Sequence, residues 1–405
     1  MRDLKHIHFY EDLLEQANND LVKKARDEGK TCVAYTCYYI PEALLNLNNS
    51  FSVRLRAPHT GSLDISQYYM TSFICGYSRA LLERAFEGGF NFVDCYFSSD
   101  TCQQMVRVVE NIHELNLIDN PKFYYNIIDA PMKLTEHGNK FYTNQVRTRF
   151  LEPLRDKFGC DISEEALRKA VEMHNRMCAI FEEISELRKE ENPVITPREF
   201  HILCLVSYAC PTYLILPYLE ETLEDLRHRQ KDEKNHWRAR VVVVGSEIDD
   251  YTFSEIMEAC HCYVVADRYC YGSIPGRQQI KLNDNEPVLD QVCRAYLETN
   301  QCPRFMAQEK VQGRRDLIKK LVEEYKADGV IYEQAKFCDF WGYERMLAGR
   351  VMAEEYNIPT TQIDREYVVS GSGQLMTRIQ AFVESLEIKK IQAKRGNDEK
   401  ERNSW

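Results

Sequence analysis

Apolar stretches of strand length recur along the chain, and each is followed by a segment with helical spacing of apolar residues. They lie at 31–36, 91–97, 122–129, 240–246, 262–267, 328–334 and 358–364. Continuous apolar strands that alternate with helices are typical of parallel sheets covered on both faces. The pattern predicts an α/β fold with two Rossmann-like, or flavodoxin-like, parallel-sheet domains, one in each half of the chain.

The stretch between the two halves has a helical pattern and no strand. Ser163 precedes a long run with apolar residues at helical spacing and is the expected N-cap. We therefore divide the chain into an N-terminal helical segment (1–30), a first α/β domain (31–150), a helical segment (151–236), a second α/β domain (237–385) and a charged tail (386–405). In such folds the crevice between the units is the expected binding site.

Composition and charge restrict the partners. The net charge of −11 argues against nucleic acid or an anionic membrane as the main partner. No run approaches 18 apolar residues, so no transmembrane helix is predicted. The first 20 residues are charged throughout and do not resemble a secretory signal. We expect a cytoplasmic protein that acts on a small molecule.

The chain contains 15 cysteines, which a reducing cytoplasm would keep out of disulfides. A buried cysteine is often a small packing residue, but this surplus makes a metal or iron–sulfur site worth seeking. Two common nucleotide-binding motifs are absent from the sequence. Without GxxxxGK[ST] the chain should not bind ATP through a P-loop, and without GxGxxG after a strand a dinucleotide site is not indicated.

Three cysteines stand at equivalent places before helices. Cys75 precedes an amphipathic helix, Cys102 follows the strand at 91–97, and Cys338 follows the strand at 328–334. Unpaired N–H groups at a helix N-terminus stabilise thiolates and anionic clusters. Three such thiolates suit a [4Fe–4S] cluster with one open iron, although packing and nucleophilic roles remain open from the residues alone.

Three further cysteines lie at comparable junctions. Cys37 follows the first strand, Cys270 follows the strand at 262–267, and Cys302 ends a helix ahead of a proline. Each is either a ligand or a packing residue. We interpret seven of the remaining nine as structural: Cys32, Cys160, Cys178, Cys204, Cys210, Cys260 and Cys262. Cys95 and Cys293 are ambiguous from the sequence, with packing favoured.

Polar residues beside these cysteines have two interpretations. Residues 98–100 are candidate caps for the helix that begins near Cys102, and Asp339 is a candidate cap for the helix after Cys338. Glu333, Asp339 and Glu344 are candidates either for proton relay or for capping, and capping is favoured for Asp339. The catalytic residues stay unassigned.

Three segments resemble the 2-hydroxyacyl-CoA dehydratase/benzoyl-CoA reductase superfamily: "FICGYSRALLERAFEGGFNFVDCYFSSDTCQQM", "YEQAKFCDFWGYE" and "IDREYVVSGSGQLMTRIQAFVE". The resemblance covers about 30–385. It implies an iron–sulfur cluster held between α/β domains, with Cys75, Cys102 and Cys338 as ligands. It also implies a separate ATP-hydrolysing iron–sulfur activator that supplies electrons.

Within this superfamily, "YTCYYIPEAL", "DRYCYGSIPG" and "NQCPRF" most resemble the double-cubane cluster proteins. That branch holds an [8Fe–9S] cluster through six cysteines, which adds Cys37, Cys270 and Cys302 as the second set of ligands. The loop after Cys270 departs from the usual pattern, because an arginine is expected soon after the glycine and Arg277 comes later.

The resemblance implies an oxygen-sensitive, anaerobic iron–sulfur oxidoreductase, expected as a homodimer. One alternative is a subunit of a 2-hydroxyacyl-CoA dehydratase with a single [4Fe–4S] cluster, which would need a related second subunit. Another alternative is a non-enzymatic electron-transfer protein that has kept the fold.

Overall fold

Eight strands form two four-stranded parallel sheets in the computed structural model, which describes residues 2–232, 235–367 and 372–402. The strands are β1 Thr31–Tyr35, β2 Ser50–Arg54, β3 Cys95–Ser99, β4 Tyr124–Ile128, β5 Ala239–Gly245, β6 Cys262–Tyr269, β7 Gly329–Ala335 and β8 Thr360–Arg365. The first sheet has the order β2-β1-β3-β4 and the second has the order β6-β5-β7-β8. The predicted α/β fold with two parallel-sheet units is confirmed.

Strand β2 was not predicted. Its sequence, Ser-Phe-Ser-Val-Arg, alternates polar and apolar residues and so lacks the continuous apolar run of the other strands. It is nevertheless buried along its whole length and pairs in parallel with β1, from Thr31 opposite Ser50 to Tyr35 opposite Arg54. The strand expected at 91–97 begins later, at Cys95, because the chain turns through residues 88–94 first.

Helices cover both faces of each sheet. They are α1 Ile7–Leu14, α2 Asp20–Asp27, α3 Ser66–Tyr69, α4 Gly76–Phe86, α5 Gln103–Glu114, α6 Glu136–Gln145, α7 Glu152–Phe158, α8 Glu164–Leu187, α9 Pro197–Ala209, α10 Thr212–His228, α11 Thr252–Ala259, α12 Val288–Glu298, α13 Gln308–Glu324, α14 Asp339–Glu354 and α15 Ser372–Arg402. A short 3₁₀-helix spans Glu42–Leu45, and a π-helical stretch spans Val146–Leu151.

The helix starts only partly follow the sequence prediction. Ser163 caps α8, and its side chain accepts a hydrogen bond from the Ala166 amide. The caps predicted at residues 98–100 and at Asp339 are wrong. Ser98 and Ser99 still belong to β3, so the chain needs further residues before α5 can begin, and Asp339 is already the first residue of α14.

Alternate residues of each strand contribute to opposite cores, as the pleat of a sheet requires. In the second sheet Val241 and Val243 pack with α11 and α15, whereas Val242 and Val244 pack with α13 and α14. The first sheet is covered in the same way, with α4, α5, α9 and α10 on one face and α6, α7 and α12 on the other. Both sheets are therefore covered by helices on both faces, while their edge strands β4 and β8 stay partly exposed.

Both sheets reverse their strand order at an interior position. The chain passes from β1 to β2 on one side and then to β3 on the other, and β5, β6 and β7 repeat this arrangement. Ligands in open α/β sheets bind outside the carboxyl ends of the strands at such positions. In the described part of the chain, no helix combines the length and apolar character that crossing a membrane requires. Residues 368–371, within the third motif quoted above, lie outside the described residues.

Candidate metal centre

A cavity of about 380 Å³ lies at the carboxyl ends of the strands of both sheets. All six cysteines that the sequence singled out line it: Cys37, Cys75, Cys102, Cys270, Cys302 and Cys338. Cavities of about 420 and 470 Å³ occur elsewhere, but no cysteine is among their described lining residues. The fold thus brings six thiols, distant in sequence, to one enclosed space.

Cys75, Cys102 and Cys338 form what we call the helix-cap set. Each is the N-cap of a helix, of α4, α5 and α14 respectively. Because an N-cap side chain faces the free amides of the first helical turn, each thiol faces N–H donors and the positive end of a helix dipole. None of the three makes a capping hydrogen bond of ordinary geometry.

The helix-cap thiols are electrostatic neighbours. Burial raises the pKa of Cys338, and the nearby Cys75 and Cys102 raise it further. Burial, reinforced by Cys75, raises the pKa of Cys102 to about 12, although the amides of Gln104 and Met105 act in the opposite direction. Three thiols this close would ionise together only if a cation stood between them.

Cys37, Cys270 and Cys302 form the loop set, because none of them begins a helix. Cys37 follows β1, Cys270 lies in the turn after β6, and Cys302 follows α12. Burial raises the pKa of Cys302 to about 12, and Cys37 contributes to the increase. Burial also raises the pKa of Cys270, with further contributions from Glu247, Cys302 and Cys37. These three thiols are therefore neighbours as well.

The two sets surround a space rather than a single point. Among residues 2–232, 235–367 and 372–402, no three His, Cys, Asp or Glu side chains lie close enough together to hold one metal ion. A tetrahedral zinc site would need ligand atoms about 2.0–2.3 Å from one centre. The other nine cysteines are buried, and none of them is among the described residues that line the cavity.

Three buried arginines also line the cavity, and sequence reasoning did not find them. Arg54, at the end of β2, donates to the carbonyls of Thr36 and Cys270. Arg268, near the end of β6, pairs with Glu344 at 3.1 Å. Arg304 donates to the Ala130 carbonyl at 3.0 Å. Guanidinium groups in a thiol-lined cavity supply the positive charge that an anionic ligand requires.

Sequence reasoning also missed Glu247, a carboxyl group that lines the cavity two residues beyond β5. Its pKa is raised to about 7, because burial and the nearby Asp249 outweigh the attraction of Arg54. A carboxyl group with such a pKa can hold or release a proton near neutral pH. The sequence signal that could have identified Glu247 is its position two residues after an apolar strand.

Of the three relay or capping candidates, Asp339 lines the cavity, whereas Glu333 and Glu344 are not among the described residues that line it. Glu333 binds Arg365 at 2.8 Å and the amide and hydroxyl of Ser246. Glu344 lies between Arg268 and Arg314, and Arg314 also donates to the Phe305 carbonyl at 2.7 Å. Both carboxylates hold loops in place by buried ion pairs.

A family model described as "2-hydroxyglutaryl-CoA dehydratase, D-component" matches residues 37–386, which is most of the chain and includes all six cavity cysteines. The chain belongs to this dehydratase family. The predicted membership of the wider 2-hydroxyacyl-CoA dehydratase/benzoyl-CoA reductase superfamily is confirmed.

Full-length relatives agree with the assignment to the dehydratase family. The (R)-phenyllactyl-CoA dehydratase beta subunit of Clostridium sporogenes is 24% identical over 94% of this chain and 99% of its own. A benzoyl-CoA reductase subunit of Thauera aromatica is 23% identical over 87% of this chain and 89% of its own. The (R)-2-hydroxyglutaryl-CoA dehydratase beta subunit of Acidaminococcus fermentans is 20% identical over 90% of this chain and 95% of its own. All three are named as enzyme subunits.

Proposed function

We propose that this chain is a cytoplasmic iron–sulfur reductase whose six cavity cysteines hold a double-cubane [8Fe–9S] cluster. A separate ATP-hydrolysing activator would deliver low-potential electrons, and a small molecule would be reduced at the cluster. The observation that carries the proposal is the meeting of two sets of three thiols at one cavity. Three cysteines per cube leave one corner of each cube free for another ligand.

The cavity wall suits such a group chemically. Thiolates are the ordinary protein ligands of iron–sulfur clusters, and the arginines balance their negative charge. The raised pKa values of Cys102 and Cys302, about 12 each, mean that these thiols release protons when they bind metal. The bound cluster would supply iron and sulfide sites that accept and pass on single electrons.

The chain's own residues have distinct parts in this proposal. The first-turn amides of α4, α5 and α14 and the guanidinium of Arg54 stabilise negative charge on the ligands. Glu247 holds a proton at a carboxyl oxygen in the cavity wall. Phe340 and Trp341 line the same wall and exclude water. These groups position charge and protons, while electrons come from outside the chain.

The ATP-hydrolysing step belongs to a partner in this proposal. The sequence has no GxxxxGK[ST] motif, which is the usual source of a phosphate-binding loop. The similar proteins are named as subunits, which supports assembly with other chains. We propose a homodimer of this chain as the unit that the activator serves.

The dehydratase names of two of the relatives favour a second candidate. Here the helix-cap set alone would hold a single [4Fe–4S] cluster, and a related second subunit would complete the enzyme. The loop cysteines would then be packing residues. This candidate differs from the first in the number of iron atoms and in the substrate, which would be an acyl-CoA.

Iron analysis of the chain purified without oxygen separates the two candidates. The first predicts about eight iron atoms per chain and the second about four. Under the first, Cys270→Ser and Cys302→Ser should each lose about half of the iron, whereas Cys204→Ser, a buried cysteine within α9, should lose none. About four iron atoms, unchanged by Cys270→Ser, would favour the dehydratase. Turnover with activator and ATP should then be tested on small substrates and on acyl-CoAs.

A further inference from the structure

Several buried polar atoms in the cavity wall have no hydrogen-bond partner among the described residues. They are Tyr39 Oη, Arg268 Nε, Asn300 Nδ2 and Gln301 Oε1. The first three carry donor hydrogens. The Arg304 guanidinium is near Tyr39 Oη, but it can only donate, so the hydroxyl proton of Tyr39 has no acceptor. A buried donor without an acceptor costs about 1–3 kcal/mol, so three in one cavity wall indicate an acceptor that occupies the cavity.

Each of the three donors lies two residues from a cysteine of the loop set. Tyr39 is two residues after Cys37, Arg268 is two residues before Cys270, and Asn300 is two residues before Cys302. Tyr39, Arg268 and Asn300 are each at most 2% exposed. The free donors therefore cluster around one set of thiols rather than along the whole cavity wall.

In Asn300 and Arg268 the other polar atoms are already bound, which fixes the free donor in place. The Asn300 carbonyl oxygen accepts from the Cys302 amide at 2.7 Å, so its NH₂ end is the free one. Arg268 Nη1 donates to Glu344 at 3.1 Å, and its Nη2 donates to the Gln301 carbonyl at 2.6 Å. Neither side chain can turn its free N–H elsewhere without breaking these bonds.

The helix-cap set lacks such free donors. Gln104 Nε2 donates to the Phe337 carbonyl at 3.1 Å, while its oxygen accepts from the Cys75 amide at 2.9 Å. The Ser78 hydroxyl lies 3.2 Å from Met105 Sδ and 3.3 Å from Cys75 Sγ. Around this set, the described side-chain donors that line the cavity and are buried already have partners.

We propose that Tyr39 Oη–H, Arg268 Nε–H and Asn300 Nδ2–H donate hydrogen bonds to the sulfur atoms of the group that the loop set binds, and so raise its reduction potential. This inference rests on the proposed function. A hydrogen bond to sulfur stabilises the reduced, more negative form more than the oxidised form, so each donor favours uptake of an electron.

Removal of one hydroxyl tests the proposal. Tyr39→Phe keeps the ring and deletes only the free donor. Tyr38→Phe is the matched control, because Tyr38 lines the same cavity but its hydroxyl is already bound to Thr299 Oγ1 at 2.8 Å. The measurement is a redox titration of the anaerobically purified holoprotein followed by EPR, with iron counted in each variant.

With iron unchanged, Tyr39→Phe should make one-electron reduction about tenfold less favourable, which is a potential about 59 mV more negative. Tyr38→Phe should leave the potential unchanged. An unchanged potential in Tyr39→Phe with about eight iron atoms per chain overturns the donor proposal and leaves the proposed function standing. About four iron atoms in the unmodified protein would overturn both.

A second measurement does not depend on the variant's folding. Proton ENDOR of the reduced protein, with the cluster reconstituted in H₂O or in D₂O, should detect exchangeable protons strongly coupled to the cluster. Loss of one such coupling in Tyr39→Phe would support the assignment. Absence of any exchangeable coupling in the unmodified protein would overturn it.

Discussion

The two cysteine sets line the same cavity but are positioned by different means. The helix-cap set is positioned by backbone, because α4, α5 and α14 each begin at one of its thiols. The loop set is positioned by side chains, chiefly buried arginines that bind the loop carbonyls and the neighbouring carboxylates. Backbone positioning depends on local structure, whereas side-chain positioning depends on residues from distant parts of the chain. The two sets should therefore respond to different substitutions.

The largest expected effect comes from Glu344→Gln, which breaks the ion pairs that hold the loop of Cys302. The change leaves Arg268 and Arg314 without their shared carboxylate, and all three side chains are buried. Unpairing buried charges costs about 3–5 kcal/mol. Urea denaturation of the iron-free protein measures this loss.

The matched control for Glu344→Gln lies on the same helix. Glu354 pairs with Arg350 on the exposed face of α14, and a surface pair of this kind contributes under about 1 kcal/mol. If Glu354→Gln and Glu344→Gln lowered the free energy of unfolding equally, the loop set would not depend on its buried ion pairs.

A second prediction concerns pH and the segment after Cys37. Burial would raise the pKa of Glu42, but Arg277 and His174 outweigh it and lower the pKa to about 2. The Arg277 and His174 contacts with Glu42 are 3.6 and 3.4 Å long. Because the folded pKa lies below the ordinary 4.5, this stabilisation is complete above pH 4.5 and is lost as the pH falls towards 2.

Glu42→Gln should therefore cost about 3 kcal/mol near pH 6, and the difference from the unmodified protein should vanish near pH 2. Unfolding free energies across this range would measure it. Glu165→Gln, which removes an exposed partner of Lys169 in α8, should shift the curve little at any pH. A constant difference between pH 2 and 6 would contradict the assignment of this stabilisation to the Glu42 carboxylate.

The smallest of the three effects tests whether the backbone at the start of α4 positions a cysteine of the helix-cap set. Gly76 follows Cys75 as the first residue of α4, and an added Cβ would lie 2.4 Å from the Cβ of Tyr367. Gly76→Ala should cost about 1–3 kcal/mol through overpacking and displace Cys75. Thermal or urea unfolding gives the free energy, and iron retention reports on the helix-cap set.

Gly313 provides the opposite control. It lies inside α13, and an added Cβ would meet no atom within 4 Å. Gly313→Ala should raise stability by up to about 1 kcal/mol, because alanine is the better helix former. Equal losses from the two substitutions would mean that the close approach to Tyr367 does not constrain the start of α4.

The contrast also explains what the sequence could predict. Continuous apolar runs revealed seven of the eight strands, and the strand-to-helix order placed Cys102 and Cys338 beside helix starts. The residues alone left Cys37, Cys270 and Cys302 as either ligands or packing residues, and only the family resemblance favoured ligation. Local periodicity describes backbone, and it is the backbone that positions the helix-cap set.

The arginines and Glu247 escaped prediction for a related reason. Arg54 ends a strand whose alternating pattern was not recognised, and Arg268 lies in β6 just beyond the apolar run predicted at 262–267. Each becomes meaningful only when the two sheets face one another across the cavity. Each arginine acts through contacts with residues more than 30 positions away in the sequence. A search for local patterns cannot detect such contacts.

Both cysteine sets draw their thiols from both sheets. The helix-cap set takes Cys75 and Cys102 from the first-sheet side and Cys338 from the segment after β7, and the loop set takes Cys37 and Cys302 from the first-sheet side and Cys270 from the second. Iron bound by either set would therefore link the two halves of the chain to each other. Iron supply would then determine when the two halves become fixed to each other during assembly. Limited proteolysis would cleave the iron-bound and the iron-free chain at different rates.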